Sequence, residues 1–270
     1  MRAHRLAVLT AMVAPGGCNY IAPPDPLDLD PDVLFIAIVL AAGESQAHML
    51  VGHPHRPASG APPTVTASLS GSDWRAAFSP ARDQGGCRGG LTDRPFPKIC
   101  LQALLPEPIR EGAGYRLEGK GPKGSFRGET AVPPAPRLLE PTDTVWVPDS
   151  IDPVRIPIRY RADAEVGTLF SELYARLGNG TGTEWRWFRG ALLDVRGERD
   201  NVVIYIDDRL IIDQSTLHLL GIGWHYTNFR QLRGDRFPWP NLGVSGEGVY
   251  GYFDGSATSD GVLIIVEDSG

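Results

Sequence analysis

Three cysteines carry the most chemistry in this 270-residue chain. Cys18 follows a basic start (Arg2, Arg5), an apolar run from Leu6 to Ala14, and Pro15-Gly16-Gly17. That is the layout of a secretory signal whose cleavage would expose Cys18 for a thioether to lipid. The apolar run is too short to cross a bilayer as a helix. Gly17 and Cys18 fit a lipobox, while Pro15 stands where leucine is usual, so plain secretion and an uncut apolar start inside the cell stay open as alternatives. With Cys18 lipidated, Cys87 and Cys100 form an even pair around a loop rich in Gly and Pro. A disulfide there would remove roughly 3 kcal/mol of unfolded-state entropy. Two reduced thiols are the alternative, and the paired spacing of a structural zinc site is missing.

Other reactive residues are less organised. His48, His53 and His55 cluster, but Pro54 divides them and no acid or Cys completes a ligand set, so a solvated loop is expected rather than a metal site. Asp207, Asp208 and Asp213 lack the spacing of a calcium loop and read as turn residues, and Asp25, Asp28, Asp30 and Asp32 read as a solvated linker. Ser245, His225 and Asp254 are the residue types of a hydrolytic triad, but a chain of this length supplies such trios by chance. Gly243–Gly251 lacks the Lys-Ser/Thr of a phosphate loop, and no pair of carboxylates is singled out for glycoside hydrolysis. No catalytic set, metal or cofactor is expected. The aromatics are more suggestive: Trp185, Trp187, Trp224 and Trp239 are the candidate ligand-binding rings, against the plainer reading of core packing.

The elements that must position these residues are short. With 32 Gly and 24 Pro, many strands joined by turns are easier to build than long helices. The formal net charge is −6, and removing residues 1–17, which hold Arg2 and Arg5 and no acid, makes it more negative. That excludes nucleic acid as an expected partner. Val33–Ala42 is an unbroken apolar run, the pattern of a strand buried on both faces. Thr64–Ser70 alternates as a half-buried strand. Tyr115–Glu118 and Ser125–Val132 flank a Gly-Lys-Gly-Pro-Lys-Gly turn. Residues 132–137 form a proline-stiffened connector. Beyond it, Val154–Arg161 alternates cleanly, Thr168–Leu177 is ambiguous between helix and strand, and His225–Arg233 reads as one short helix. The expected fold is all-β. Residues 1–17 form a signal peptide, 18–32 a tether, 33–137 an immunoglobulin-like β-sandwich, 138–153 a linker, and 154–270 a second β-rich domain with at most one or two short helices.

A set of segments resembles a known group of proteins. These are the lipoprotein cysteine, Ala41-Ala-Gly-Glu-Ser-Gln46, Gly114-Tyr-Arg-Leu-Glu118, Gly128-Glu-Thr-Ala-Val-Pro-Pro-Ala-Pro136, and the closing Phe237-Pro-Trp-Pro through Gly251-Tyr-Phe253. Together they resemble the uncharacterised envelope lipoproteins of Bacteroidetes and Gemmatimonadetes, a domain of unknown function often encoded near TonB-dependent receptors. The resemblance implies location and architecture, and it carries no catalytic residues. The expected role is a non-enzymatic envelope lipoprotein, anchored to the outer membrane by lipid and binding a receptor or glycan. The alternative is a secreted or periplasmic hydrolase acting on polysaccharide or peptide.

Overall fold

The computed structural model describes residues 30–84, 87, 96–148, 154–178, 183–193, 195, 197–206, 214–232 and 241–267. Cys18 and Trp239 lie outside them, as do Asp207, Asp208 and Asp213. Pro31–Gly270 form one compact unit. The fold is all-β with one short helix among the described residues.

β1 (Leu34–Ala41) is the strand on which the rest assembles. Side chains alternate across a strand, so an apolar run must be covered on both sides. Ile36, Ile38 and Leu40 enter one core, and Phe35 and Ala37 enter a second on the opposite face. β2 (Gln46–Gly52) returns antiparallel beside β1 after a turn in which Gly43 takes a φ of 87°. β6 (Lys98–Leu104) and β5 (Ser79–Pro80) extend that side. On its other side β1 pairs in parallel with β18 (Val249–Thr258), from Leu34↔Val249 to Ala41↔Ser256.

A second sheet faces this one, in the order β17 (Val244–Gly246), β8 (Gly124–Ala131), β7 (Gly114–Gly121), β3 (Thr66–Ser70), β4 (Arg75–Ala77). β7 and β8 form a hairpin closed by Pro122-Lys123, with Gly121 opposite Gly124. Their alternation is clean: Tyr115, Leu117 and Phe126 point inward, while Arg116, Glu118, Arg127 and Glu129 point to solvent. Leu69, Leu117, Phe126 and Phe253 pack against Ile36, Ile38 and Met49 between the sheets. Burying a side chain of that size contributes about 1.5–3 kcal/mol. The immunoglobulin-like sandwich expected for the first half is present as these two facing sheets, with β18 supplied by the far end of the chain.

The second half builds its own core on the same large sheet. β11 (Val154–Ala162), β14 (Gly197–Ile206) and β9 (Arg137–Glu140) form a three-stranded sheet. Ile156, Ile158 and Tyr160 from it meet Leu169, Leu173, Leu217 and Ile264. The last four come from β12 (Thr168–Gly178), β15 (Gln214–Ile222) and β19 (Val262–Glu267) of the large sheet. β13 (Thr183–Leu193) pairs with β12. The ambiguous segment at 168–177 is therefore a strand, because its hydrophobics satisfy a two-sided sheet: Leu169 and Leu173 face one core and Phe170 another.

The expected division near residue 140 is not where the sheets part. The supposed linker 138–153 contributes β9 and β10 (Val145–Pro148), and β10 pairs in parallel with β19. The large sheet runs through the boundary by the pairing of β15 with β18, Leu220↔Thr258 to Ile222↔Ser256. Residues 244–258 complete the first half, and Val244, Val249 and Phe253 belong to its core. The apolar alternation that suggested a self-contained second domain reports burial, and it carries no information about which sheet receives each strand.

Two local predictions also shift. The end of the expected tether is held: Arg56 donates to the Pro31 carbonyl at 2.9 Å and pairs with Asp32 at 2.5 Å. His53, expected in a solvated loop, is 1% exposed, and its Nδ1–H donates to the Val33 carbonyl at 3.1 Å. A carbonyl at the entry of a buried strand needs a donor, and the loop folds back to supply one. Burial holds the His53 imidazole below the usual histidine range. No group of three or more metal-ligating side chains is found among the described residues.

Candidate functional site

The outer face of the second sheet carries a groove. Alternation puts Arg116, Glu118 and Lys120 of β7 on the solvent side, beside Ser125, Arg127 and Glu129 of β8. Register then sets the rows: Lys120 lies opposite Ser125, Glu118 opposite Arg127, and Arg116 opposite Glu129. On the far side of β8, Ser245 of β17 lies opposite Arg127. β17 reaches β8 closely because residue 128 is glycine, where a Cβ would meet the Gly243 carbonyl at 2.4 Å. Two adjoining depressions of about 840 and 700 Å³ share Glu118, Arg127 and Ser245 in their walls. The first runs to Thr66, Arg75 and Lys120, and the second to Arg116, Glu129 and His225.

Charges in the groove are incompletely paired. Arg75 bonds Glu118 at 2.9 Å and Arg116 bonds Glu129 at 3.1 Å. All four side chains are more than half exposed, so each pair contributes about 0.2–1 kcal/mol and yields readily to a competing ligand. Glu118 sits directly across from Arg127, yet its carboxylate is taken by Arg75. Arg127 and Lys120 have no acidic partner among the described residues.

The end of the groove is made by α1 (Trp224–Leu232), which matches the short helix expected at 225–233. Its first turn is capped from outside the helix. Asp254 Oδ2 accepts the Tyr226 N–H at 2.7 Å, and Oδ1 accepts the Gly255 N–H at 2.8 Å. Asp254 is 2% exposed, and burial pushes its carboxyl above the usual aspartate range, opposed by those two N–H groups and by nearby His225. The His225 Nδ1–H donates to the Phe253 carbonyl at 2.8 Å, and His225 lines the second depression.

Ser245, His225 and Asp254, a trio discounted from sequence, thus come together in space. They do not form a relay. The Asp254 oxygens are committed to backbone amides and a backbone carbonyl orients His225, whereas a triad requires the carboxylate on that imidazole nitrogen.

The other expected sites fare differently. Cys87 and Cys100 are bonded, with Cα atoms 5.6 Å apart, and pack with Phe35 and Phe96 on the outer face of β1. Trp224 is 46% exposed, and its indole N–H donates to the Ala164 carbonyl at 2.8 Å, latching α1 to the turn before β12. Trp185 and Trp187 lie on β13, opposite Arg176 and Tyr174 of β12. Trp224, the candidate tryptophan whose side chain is described, is not among the groove residues. The residues missed from sequence are Arg116, Lys120 and Arg127. Their signal was the period-two placement of charged residues, Arg116, Glu118 and Lys120, in Tyr115-Arg-Leu-Glu-Gly-Lys120, which becomes a site only once β8 and β17 are aligned beside it.

No family model matches the chain, and no curated protein matches it. Among solved structures it is similar to CBD12 from CALX1.2, at 6% identity over 87% of this chain and 99% of that one, with a TM-score of 0.22. It is also similar to the D0-D1 domain of Intimin, at 10% identity over 86% of this chain and 97% of that one, again with a TM-score of 0.22. Overlap at that level carries no argument about function.

Proposed function

We propose that this protein is an exported lipoprotein, held at the outer membrane by a thioether on Cys18, and that it serves as a non-enzymatic accessory binding a receptor or a glycan. The observation that carries the reading is the Cys87–Cys100 bridge. Disulfides persist in oxidising compartments, and pairing these two leaves Cys18 as the one cysteine available for lipid. Among the described residues no helix is long and apolar enough to cross a membrane, and in this reading attachment falls to Cys18. The open polar groove on β7 and β8 supplies the binding surface. Commitment of Asp254 to backbone amides supports a role without a serine–histidine–aspartate relay.

The test is fractionation of cells expressing the wild-type chain or Cys18→Ser, with mass spectrometry of the mature N-terminus. The expected result is a diacylated Cys18 in the membrane fraction and release of the variant into the soluble fraction. An intact Met1, or a variant that stays with the membrane, would refute the anchor.

One observation favours a second reading, a hydrolase of the cell envelope: His225 and Ser245 line the same depression. Covalent labelling of Ser245 by a fluorophosphonate, abolished by His225→Ala, would establish it. An unlabelled Ser245 would dismiss it.

A further inference from the structure

We infer that the groove across β3, β7, β8 and β17 binds a linear acidic polysaccharide, whose carboxylate or sulfate groups seat on Arg127 between Lys120 and Arg116. The inference rests on the binding-accessory reading and names its ligand class.

Charge is the first argument. The groove walls hold Arg75, Arg116, Lys120 and Arg127 against only Glu118 and Glu129, in a chain whose formal net charge is −6. A cationic concavity on an acidic protein gathers anions. Arg127 lies at the centre, in the wall shared by both depressions, and its guanidinium has no acidic partner among the described residues. A planar fork of donors is the group suited to a carboxylate or sulfate.

Spacing is the second argument. Lys120, Arg127 and Arg116 fall in three successive rows of the same sheet face. Rows on one face are two residues apart, about 7 Å along the strand. Each row offers a cation, and the carboxylates that share two of the rows, Glu118 and Glu129, are held by Arg75 and Arg116, so the regular steps suit a ligand whose charges repeat along its length.

Shape and lining select a sugar polymer over other polyanions. The site is a trough, whereas a bilayer of anionic lipid is flat and would meet a protruding surface. Ser125 and Ser245 border the cations and offer hydroxyls to sugar hydroxyls. An acidic peptide would add to a sheet edge and fill side-chain pockets, while this surface is a face on which the ring of Phe126 is buried. With no exposed Phe, Tyr or Trp ring among the described wall residues, a neutral sugar has little to hold it there.

The experiment is isothermal titration calorimetry on the purified full chain. The probes are oligogalacturonate and dextran sulfate, which distinguish carboxylate from sulfate, and a neutral cello-oligosaccharide, a polyglutamate peptide and phosphatidylglycerol vesicles. The expected result is binding of one or both acidic polysaccharides, weakened by added salt. Arg127→Ala should lose roughly tenfold to a hundredfold in affinity. Arg127→Lys should recover part of it, and both variants should keep the wild-type circular dichroism. Equal affinity in Arg127→Ala, or preference for vesicles or polyglutamate, overturns the inference. Tight binding of the neutral oligosaccharide alone overturns the acidic ligand and leaves the accessory role standing. The fate of Cys18→Ser in fractionation reads the anchor independently of every arm.

Discussion

Replacing Phe253 with alanine tests the claim that the two halves share one sheet. Phe253 is fully buried, and its ring lies against the backbone of Gly128, so a residue near the C-terminus fills the core made by residues 34–132. Truncating a buried phenylalanine costs about 3–5 kcal/mol, covering lost transfer energy and the cavity left behind. For a unit of this size each kcal/mol lowers Tm by about 2–4 °C, so Phe253→Ala should lower it by roughly 6–20 °C. The informative assay is hydrogen exchange resolved by peptide. Strands β3, β7 and β8, more than one hundred residues upstream, should lose protection together with β18. Should exchange rise only in residues 154–270 while β3 and β7 keep wild-type protection, the shared sheet is refuted and the halves are independent domains.

Two further outcomes follow from the structure. Cys87→Ser should destabilise by about 3 kcal/mol, since it opens a loop of 13 positions, and the loss should vanish when wild type and variant are compared in reductant; equal melting temperatures under oxidising conditions would contradict it. Asp254→Asn should cost about 1–3 kcal/mol, because an amide cannot accept from both the Tyr226 and Gly255 N–H groups. The folded-state pKa of Asp254 is raised above 3.8, so its ionisable contribution is full below 3.8 and is lost as pH rises through the folded value. The gap between wild type and Asp254→Asn is therefore expected to widen on acidification toward 3.8, read as Tm against pH, and parallel curves would contradict the buried carboxyl.

The parts of the fold legible in sequence were those governed by local pattern. The unbroken apolar run at 33–42 has one solution, a strand covered on both faces, and β1 is that strand. Alternation in Tyr115–Glu118 and Ser125–Val132 fixed which residues face water, and β7 and β8 obey it. The even cysteine pair likewise resolved into one bridge. What the pattern could not supply was partnership at long range. β9 and β10 were concealed by prolines that suit edge strands and connectors equally well. His53 looked solvated because nothing nearby in sequence reveals that the Val33 carbonyl needs a donor. The groove stayed hidden for the same reason: Lys120, Arg127 and Ser245 become neighbours only through strand register, and Ser245 arrives from more than one hundred residues away.

The parallel pairing of β1 with β18 has a kinetic consequence. Leu34 must wait for Val249, some 200 residues later in synthesis, which at 5–20 residues per second is a delay of roughly 10–40 s. Until then the most apolar strand in the chain has an unsatisfied edge, and contacts of such high sequence separation form slowly even once both strands exist. Residues 34–41 are therefore the part of the nascent chain most open to pairing with a wrong strand before residue 249 is made.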